Sequence, residues 1–236
     1  MALDENGNLI DPFNGAKDIE NKCFRPVSQA FFEDPLRALR VARFKAQFPE
    51  FFLHESMEQA LFKISASNEL LNLSSERVWG EVVKGLEHDF HQFLQIVRNY
   101  KLHEPWFNKL SEIPDINSDI AEIKWCEVSQ ANEFKFAMCL DIPKSYSKQL
   151  LLWKKFFNYD KNGDVSYKVK FFEDFSKNNL PDAIFTLQFF KDINLECIPI
   201  IKEYANLNFG ALSSNKKQDV KSVKEQELKK IIEKYG

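Results

Sequence analysis

Asp34 and Arg37 stand three positions apart in the run Glu33-Asp34-Pro35-Leu36-Arg37. A carboxylate that accepts hydrogen bonds and a planar guanidinium that donates them together match the mixed edge of a nucleobase. On a helix turning about 100° per residue, the two side chains fall roughly 60° apart on one face, so both could address one target. The same spacing also suits an ordinary ion pair at a helix start, contributing a few tenths of a kcal/mol. Residue types alone leave both readings open.

Other chemistries are less well provided for. The sequence contains no Asp-x-Asp and no glycine-rich phosphate loop. Its four histidines, His54, His88, His91 and His103, all lie in the first half. His88 and His91 are spaced for one helical face, but without downstream ligands they read as surface or core residues. Asp160-Lys161-Asn162-Gly163-Asp164 opens like a calcium loop, yet Gly163 comes one position early and Phe171 stands where a bidentate glutamate is required. It reads as a turn. Cys23, Cys126, Cys139 and Cys197 stand singly, which argues against a disulfide framework or zinc knuckle and fits small core hydrophobes in a reducing compartment.

The formal net charge of −3 excludes a wholly basic nucleic-acid binder, so RNA contact would need a local patch. Ser214 to Gly236 carries seven lysines against four acids. That stretch reads as a charged, solvated helix, with RNA contact as a second reading. The 23 phenylalanines read as core rather than as a stacking surface. Apolar runs such as Leu150 to Trp153 fall far short of the roughly 20 residues of a membrane span, and Met1 to Ile10 has no leader pattern. A cytoplasmic protein without membrane contact is expected.

The elements that must position the Asp34/Arg37 pair follow from periodicity. Met1 to Asp11 reads as a hairpin around Glu5-Asn6-Gly7-Asn8. Asp11-Pro12-Phe13-Asn14-Gly15 breaks the chain before an extended stretch through Phe24-Arg25-Pro26-Val27. A hairpin is marginal alone, so this opening suggests the end of a larger sheet. Helices are expected from Phe31 to Phe48, Glu55 to Ser65, and from a Ser74 cap with Val78, Glu81, Val82 and Leu86 setting an amphipathic stripe. Another runs from Phe90 to Tyr100. The polar run Ser111 to Asp119 is the expected boundary. Beyond it, helices are expected at Asn132 to Leu140, Ser147 to Phe157, Tyr167 to Lys177, Pro181 to Phe190 and Cys197 to Asn206. The fold class is mainly α, with a short N-terminal β-hairpin.

Three blocks at consecutive positions carry a family resemblance. Gly7-Asn8-Leu9-Ile10-Asp11-Pro12-Phe13-Asn14-Gly15, then Phe24-Arg25-Pro26-Val27-Ser28, then Glu33 through Phe44 resemble the class II CCA-adding tRNA nucleotidyltransferases of bacteria, a family that includes poly(A) polymerases. Arg25-Pro26-Val27-Ser28-Gln29-Ala30-Phe31 followed by Leu36 is closer to the CCA type. The resemblance implies that Asp34 and Arg37 select incoming CTP or ATP, with Arg40 and Glu33 beside them. It implies that Asp11, Asn14 and Gly15 form a hinge to a catalytic head, and that Glu76, Arg77 and Glu81 steady the base-reading helix.

In that family a metal-binding Asp-x-Asp on the head holds magnesium. The resemblance therefore implies a chain that starts beyond the head, without catalytic residues or metal ligands of its own, and inactive by itself. Magnesium would come only with the head. The expected division is 1–30 as head-sheet remnant and hinge, 31–110 as the nucleotide-selecting, RNA-binding neck, and 111–236 as the body and tail. Within the body, Lys135 to Lys144 faintly resembles a phosphohydrolase His-Asp segment, but Leu140 stands in the histidine position. Expected partners are tRNA, CTP and ATP, with a separate head polypeptide if the enzyme is split. The competing reading is a helical interaction module that has lost nucleotide chemistry.

Overall fold

The structure, a computed structural model, describes residues 1–173, 175, 180–208, 211–212 and 219–235. It is mainly α, as the periodicity predicts, and divides into two compact units, Met1–Ser147 and Lys148–Gly236.

The first unit opens with a hairpin of β1 (Ala2–Leu3) and β2 (Leu9–Ile10), antiparallel with Leu3 opposite Leu9. Its turn is held by Asp4, whose Oδ1 accepts the N–H groups of Asn6 at 2.9 Å and Asn8 at 2.8 Å, while Gly7 takes the positive φ of 81°. The next segment departs from the extended run expected there: α1 (Gly15–Glu20) intervenes, and only β3 (Cys23–Phe24) is a strand. β3 pairs in parallel with β4 (Phe52–Leu53), so a second two-stranded ladder ties the chain before and after the helix that follows Pro35.

A single helix was expected from Phe31 to Phe48, but the structure makes two pieces, a 3-10 turn (Gln29–Glu33) and α2 (Leu36–Gln47). The break falls on Asp34, extended at φ −136° and ψ 107°. It precedes Pro35, whose ring excludes the helical region for the residue before it. α3 (Glu55–Ser67), α4 (Ser75–Leu86) and α5 (Phe90–Asn99) form where the periodicity places them. Ser74 caps α4 by accepting the Arg77 N–H, and the Val78, Glu81, Val82 and Leu86 stripe is buried. α2 packs on α4 and α5 through Ala38, Leu39, Val41, Ala42 and Ala46. His88 and His91 do not share a helical face, because Asp89 between them caps α5.

The expected boundary at Ser111 to Asp119 lies inside this unit. The nearly buried Asn132 Oδ1 accepts the N–H groups of Ser111 at 2.7 Å and Glu112 at 2.9 Å, and its Nδ2 donates to the Glu112 carbonyl. Ile113 and Ile116 pack on the core. A polar, proline-bearing run reads as a linker until its backbone finds a buried partner. The next segment also departs from expectation. The helix is α6 (Ala121–Ala131), and 132–140 is irregular, with positive φ at Glu133, Phe134 and Ala137. α6 shows no amphipathic period because it is buried nearly all round, Lys124 included, whose Nζ donates to the His88 carbonyl at 2.6 Å.

The second unit is built on the later part of α7 (Lys144–Phe157), α8 (Val165–Phe172), α9 (Leu180–Leu187), α10 (Lys191–Ala205) and α11 (Val220–Tyr235). Its core gathers Phe156, Phe172, Cys197, Ile200, Tyr204 and Leu228. α10 begins earlier than expected and runs through Pro199. Of the helix expected at Tyr167 to Lys177, residues 174, 176 and 177 lie outside the described residues, as do 214–218 and 236 of the charged tail. Asp160 to Asp164 is a turn as expected, with Asp164 capping α8 through the Tyr167 N–H at 2.7 Å. Three cysteines are buried as expected, but Cys139 is exposed, because the segment carrying it is a surface turn and not a helix. Burial pushes the Cys197 thiol up to about 12.

Candidate functional site: the N-terminus of the second helix

Four of the expected residues lie at the start of α2 in different surroundings. Asp34, outside the helix, uses Oδ1 to accept the Leu36 N–H at 3.1 Å, and its Oδ2 lies 2.7 Å from Arg77 Nη2 on α4. Asp34 and Arg37 therefore do not share the helical face that the spacing implied. Arg37 turns back toward the 3-10 turn, where its Nη1 donates to the Ala30 carbonyl. Arg37 and Arg40 line a cavity of about 780 Å³ whose walls include Phe24, Val27, Phe31 and Phe44, whereas Glu33 and Asp34 do not line it. Glu33 is exposed at the end of the 3-10 turn.

The expected supports divide. Arg77 touches Asp34 directly, with side chains 49% and 33% exposed, so the pair orients Asp34 more than it stabilises the fold. Glu81 is buried and lies 2.7 Å from Arg43 Nε of α2. This close ion contact is not a directed hydrogen bond, since both facing atoms lack a hydrogen-bond partner. Glu76 is exposed on the first turn of α4 and touches neither.

Asp11, Asn14 and Gly15 form a fastened turn. Asp11 Oδ1 accepts the Gly15 N–H at 2.9 Å and Oδ2 the Ala16 N–H at 2.8 Å, while Asn14 adopts φ 57°. A Cβ on Gly15 would sit 3.4 Å from Asp11 Oδ1, at the near edge of ordinary van der Waals contact. The Ala16 and then the Gly15 N–H bonds hold the Asp11 carboxyl below its ordinary value near 3.8. A depressed folded pKa means these bonds contribute fully above the unfolded pKa and are lost as pH falls through the lower, folded value. The Gly15 and Ala16 amides should accordingly keep their hydrogen-exchange protection through the ordinary carboxyl value of 3.8 and lose it only at lower pH. In Asp11→Asn the protection should be weak and independent of pH in that range.

Sequence reading missed several contributors. Arg43 sits one turn after Arg40, and nothing in that spacing says which arginine turns inward. Asp18, Arg25 and His54 form a chain across the rim: Arg25 Nε lies 3.1 Å from Asp18 Oδ1, and its Nη1 lies 2.9 Å from His54 Nε2. Only the pairing of β3 with β4 brings His54 to Arg25, so no local signal could have found it. Among the described residues, no group of three or more His, Cys, Asp or Glu is arranged to hold a metal ion. No helix among them is long and apolar enough to cross a membrane.

No protein-family model matches the chain. The Multifunctional CCA protein of Pseudoalteromonas atlantica is 46% identical over 113 residues, covering 47% of this chain and 28% of that protein. That of Hahella chejuensis is 33% identical over 181 residues, 69% of this chain and 43% of that protein. The CCA-adding enzyme of Buchnera aphidicola is 44% identical over 121 residues, 50% of this chain and 27% of that protein. A solved structure described as a tRNA-processing enzyme complex shares the fold, with a TM-score of 0.55 at 18% identity over 96% of this chain and 70% of that one. Over these stretches the chain is thus similar to bacterial proteins of the CCA-adding kind. It spans less than half the length of these curated relatives.

Proposed function

We propose that this chain supplies the nucleotide-selecting and tRNA-binding part of CCA addition at tRNA 3′ ends. The observation that carries the reading is the placement of Arg37 and Arg40 on the cavity wall, with Asp34, braced by Arg77, outside that wall at the start of the same helix. Cytosine and adenine each carry an exocyclic amine where uracil and guanine carry a carbonyl. An acceptor next to a donor fork therefore favours C and A over U and G. Asp34 has the capacity for this. Two of its roughly four lone-pair sites are taken by Leu36 and Arg77, and Arg37 has committed one of its five N–H donors.

On this reading Asp11 to Gly15 connects to the catalytic head, and the exposed apolar strands of the hairpin continue its sheet. The acid pair that holds magnesium belongs to that head, since no Asp-x-Asp occurs in these 236 residues. The head would be joined to this segment in a longer protein or supplied as a separate polypeptide.

The test has two arms. With magnesium, the purified chain should not incorporate labelled CTP or ATP into tRNA lacking CCA, and incorporation would overturn the division of labour. The chain should bind CTP and tRNA, with CTP affinity falling by about tenfold or more in Arg37→Ala, on the scale of one lost bidentate base contact. Binding unaffected by that substitution would favour a helical interaction module instead.

A further inference from the structure

Arg37 can select a base only if its guanidinium plane is held, because a fork on a flexible stem satisfies a wrong partner almost as well as a right one. The 3-10 turn supplies the hold. Ser28, in extended backbone, accepts the Ala30 N–H on its Oγ at 3.3 Å and the Phe31 N–H on its carbonyl at 3.0 Å. These bonds close the turn and fix the Ala30 carbonyl that receives Arg37 Nη1. From the other side, Phe32 stands edge-on to Phe31 with ring centroids 5.9 Å apart, and Lys63 Nζ of α3 lies 4.3 Å from the Phe32 ring centre.

We propose that the Ser28-capped turn is the orienting device of Arg37, and that Ser28 is a positioning residue for base selection. The proposal rests on the nucleotide-selecting reading above. One Nη is spent on the main chain, and the remaining donors of the fork are presented in a set orientation on the cavity side. Ser28 also lines the cavity, so the guanidinium signal of Arg37, and not nucleotide affinity alone, separates positioning from direct contact. Its hydroxyl matters because the turn is short, with five residues and few internal bonds, so losing one capping bond loosens the carbonyl on which Arg37 rests.

Two measurements on the full chain test this. The first is the Nε–Hε NMR signal of Arg37, assigned by its disappearance in Arg37→Lys. Wild type should show hindered rotation of the guanidinium, Ser28→Ala should release it, and Ser28→Thr, which keeps the capping oxygen, should restore it. The second is calorimetric affinity for CTP, ATP, GTP and UTP. Ser28→Ala and Arg37→Lys should lose about tenfold of the preference for CTP and ATP, and Ser28→Thr should keep it. If the alanine variant unfolds, Ser28→Gly replaces it, since glycine suits a cap backbone without offering an oxygen. A freely rotating Arg37 in wild type, or unchanged preference in the hydroxyl-less variants, overturns the proposal. Wild type that binds none of the four nucleotides overturns the nucleotide-selecting reading itself, whatever the NMR signal shows.

Discussion

Glu81→Ala should destabilise the first unit by about 3–5 kcal/mol, the cost of leaving a buried charge without its partner. Glu81 is 7% exposed, and the Arg43 side chain that faces it is 16% exposed, so water can replace little of what the carboxylate supplies. Removing both charges should cost much less. In a Glu81→Leu, Arg43→Met double variant, apolar side chains occupy similar volume without a desolvation penalty, and a buried pair replaced in this way is often neutral. Arg43 also lies over the Phe44 ring at 4.1 Å, so the double variant loses that contact too. Urea unfolding of wild type, both single variants and the double variant gives the coupling directly. A Glu81→Ala loss below about 1 kcal/mol would show that the pair is solvated and does not brace α2. Because Arg43 shares α2 with Arg37 and Arg40, the same variant should also weaken CTP binding, through rotation of the helix rather than through any contact with nucleotide.

Trp125→Ala should cost the first unit about 3–5 kcal/mol, as large-to-small changes at fully packed aromatic positions do. Trp125 is 2% exposed and meets Trp79 edge-on at 5.2 Å and Phe136 at 5.2 Å, with Tyr146 on the other side of Trp79 at 4.8 Å. Trp79 belongs to α4, the helix that carries Arg77 and Glu81. The result therefore decides whether α6 completes the core beneath α2 and α4 or belongs to a separate body. The expected outcome is a lower urea midpoint for the transition that exposes Trp79, together with loss of the near-ultraviolet circular dichroism of the packed indoles. A midpoint unchanged within error would return the boundary to Ser111 to Asp119.

Much of the site was legible because its determinants are local. Ser74 before Ser75-Glu76-Arg77 marks a helix start through hydrogen bonds made within one turn, and it forms there. Asn6-Gly7 marks a hairpin because only positive φ closes so tight a turn, and β1 and β2 pair around it. The family resemblance likewise draws attention to Asp34, Arg37 and Arg77, and the fold places Asp34 beside Arg77.

What stayed hidden has a common cause. Asp34 left the helix because Pro35 restricts its backbone, a local rule that the assumption of one continuous helix overrode. α6 went unseen because a helix buried on nearly every side has no polar stripe to set a period, and the irregular 132–140 looked helical because its apolar residues face a core supplied by distant segments. Residue order by itself determined a mainly α chain with a hairpin at its start and an acceptor and a donor fork near one helix N-terminus. Tertiary packing alone decided which of Arg37, Arg40 and Arg43 turns inward, that Asp34 is held by Arg77 from 43 positions away, and that Arg37 rests on the Ala30 carbonyl. Those choices depend on side chains brought together by the crossing of α2 over α4 and by the 3-10 turn, and spacing along one helix contains no information about either.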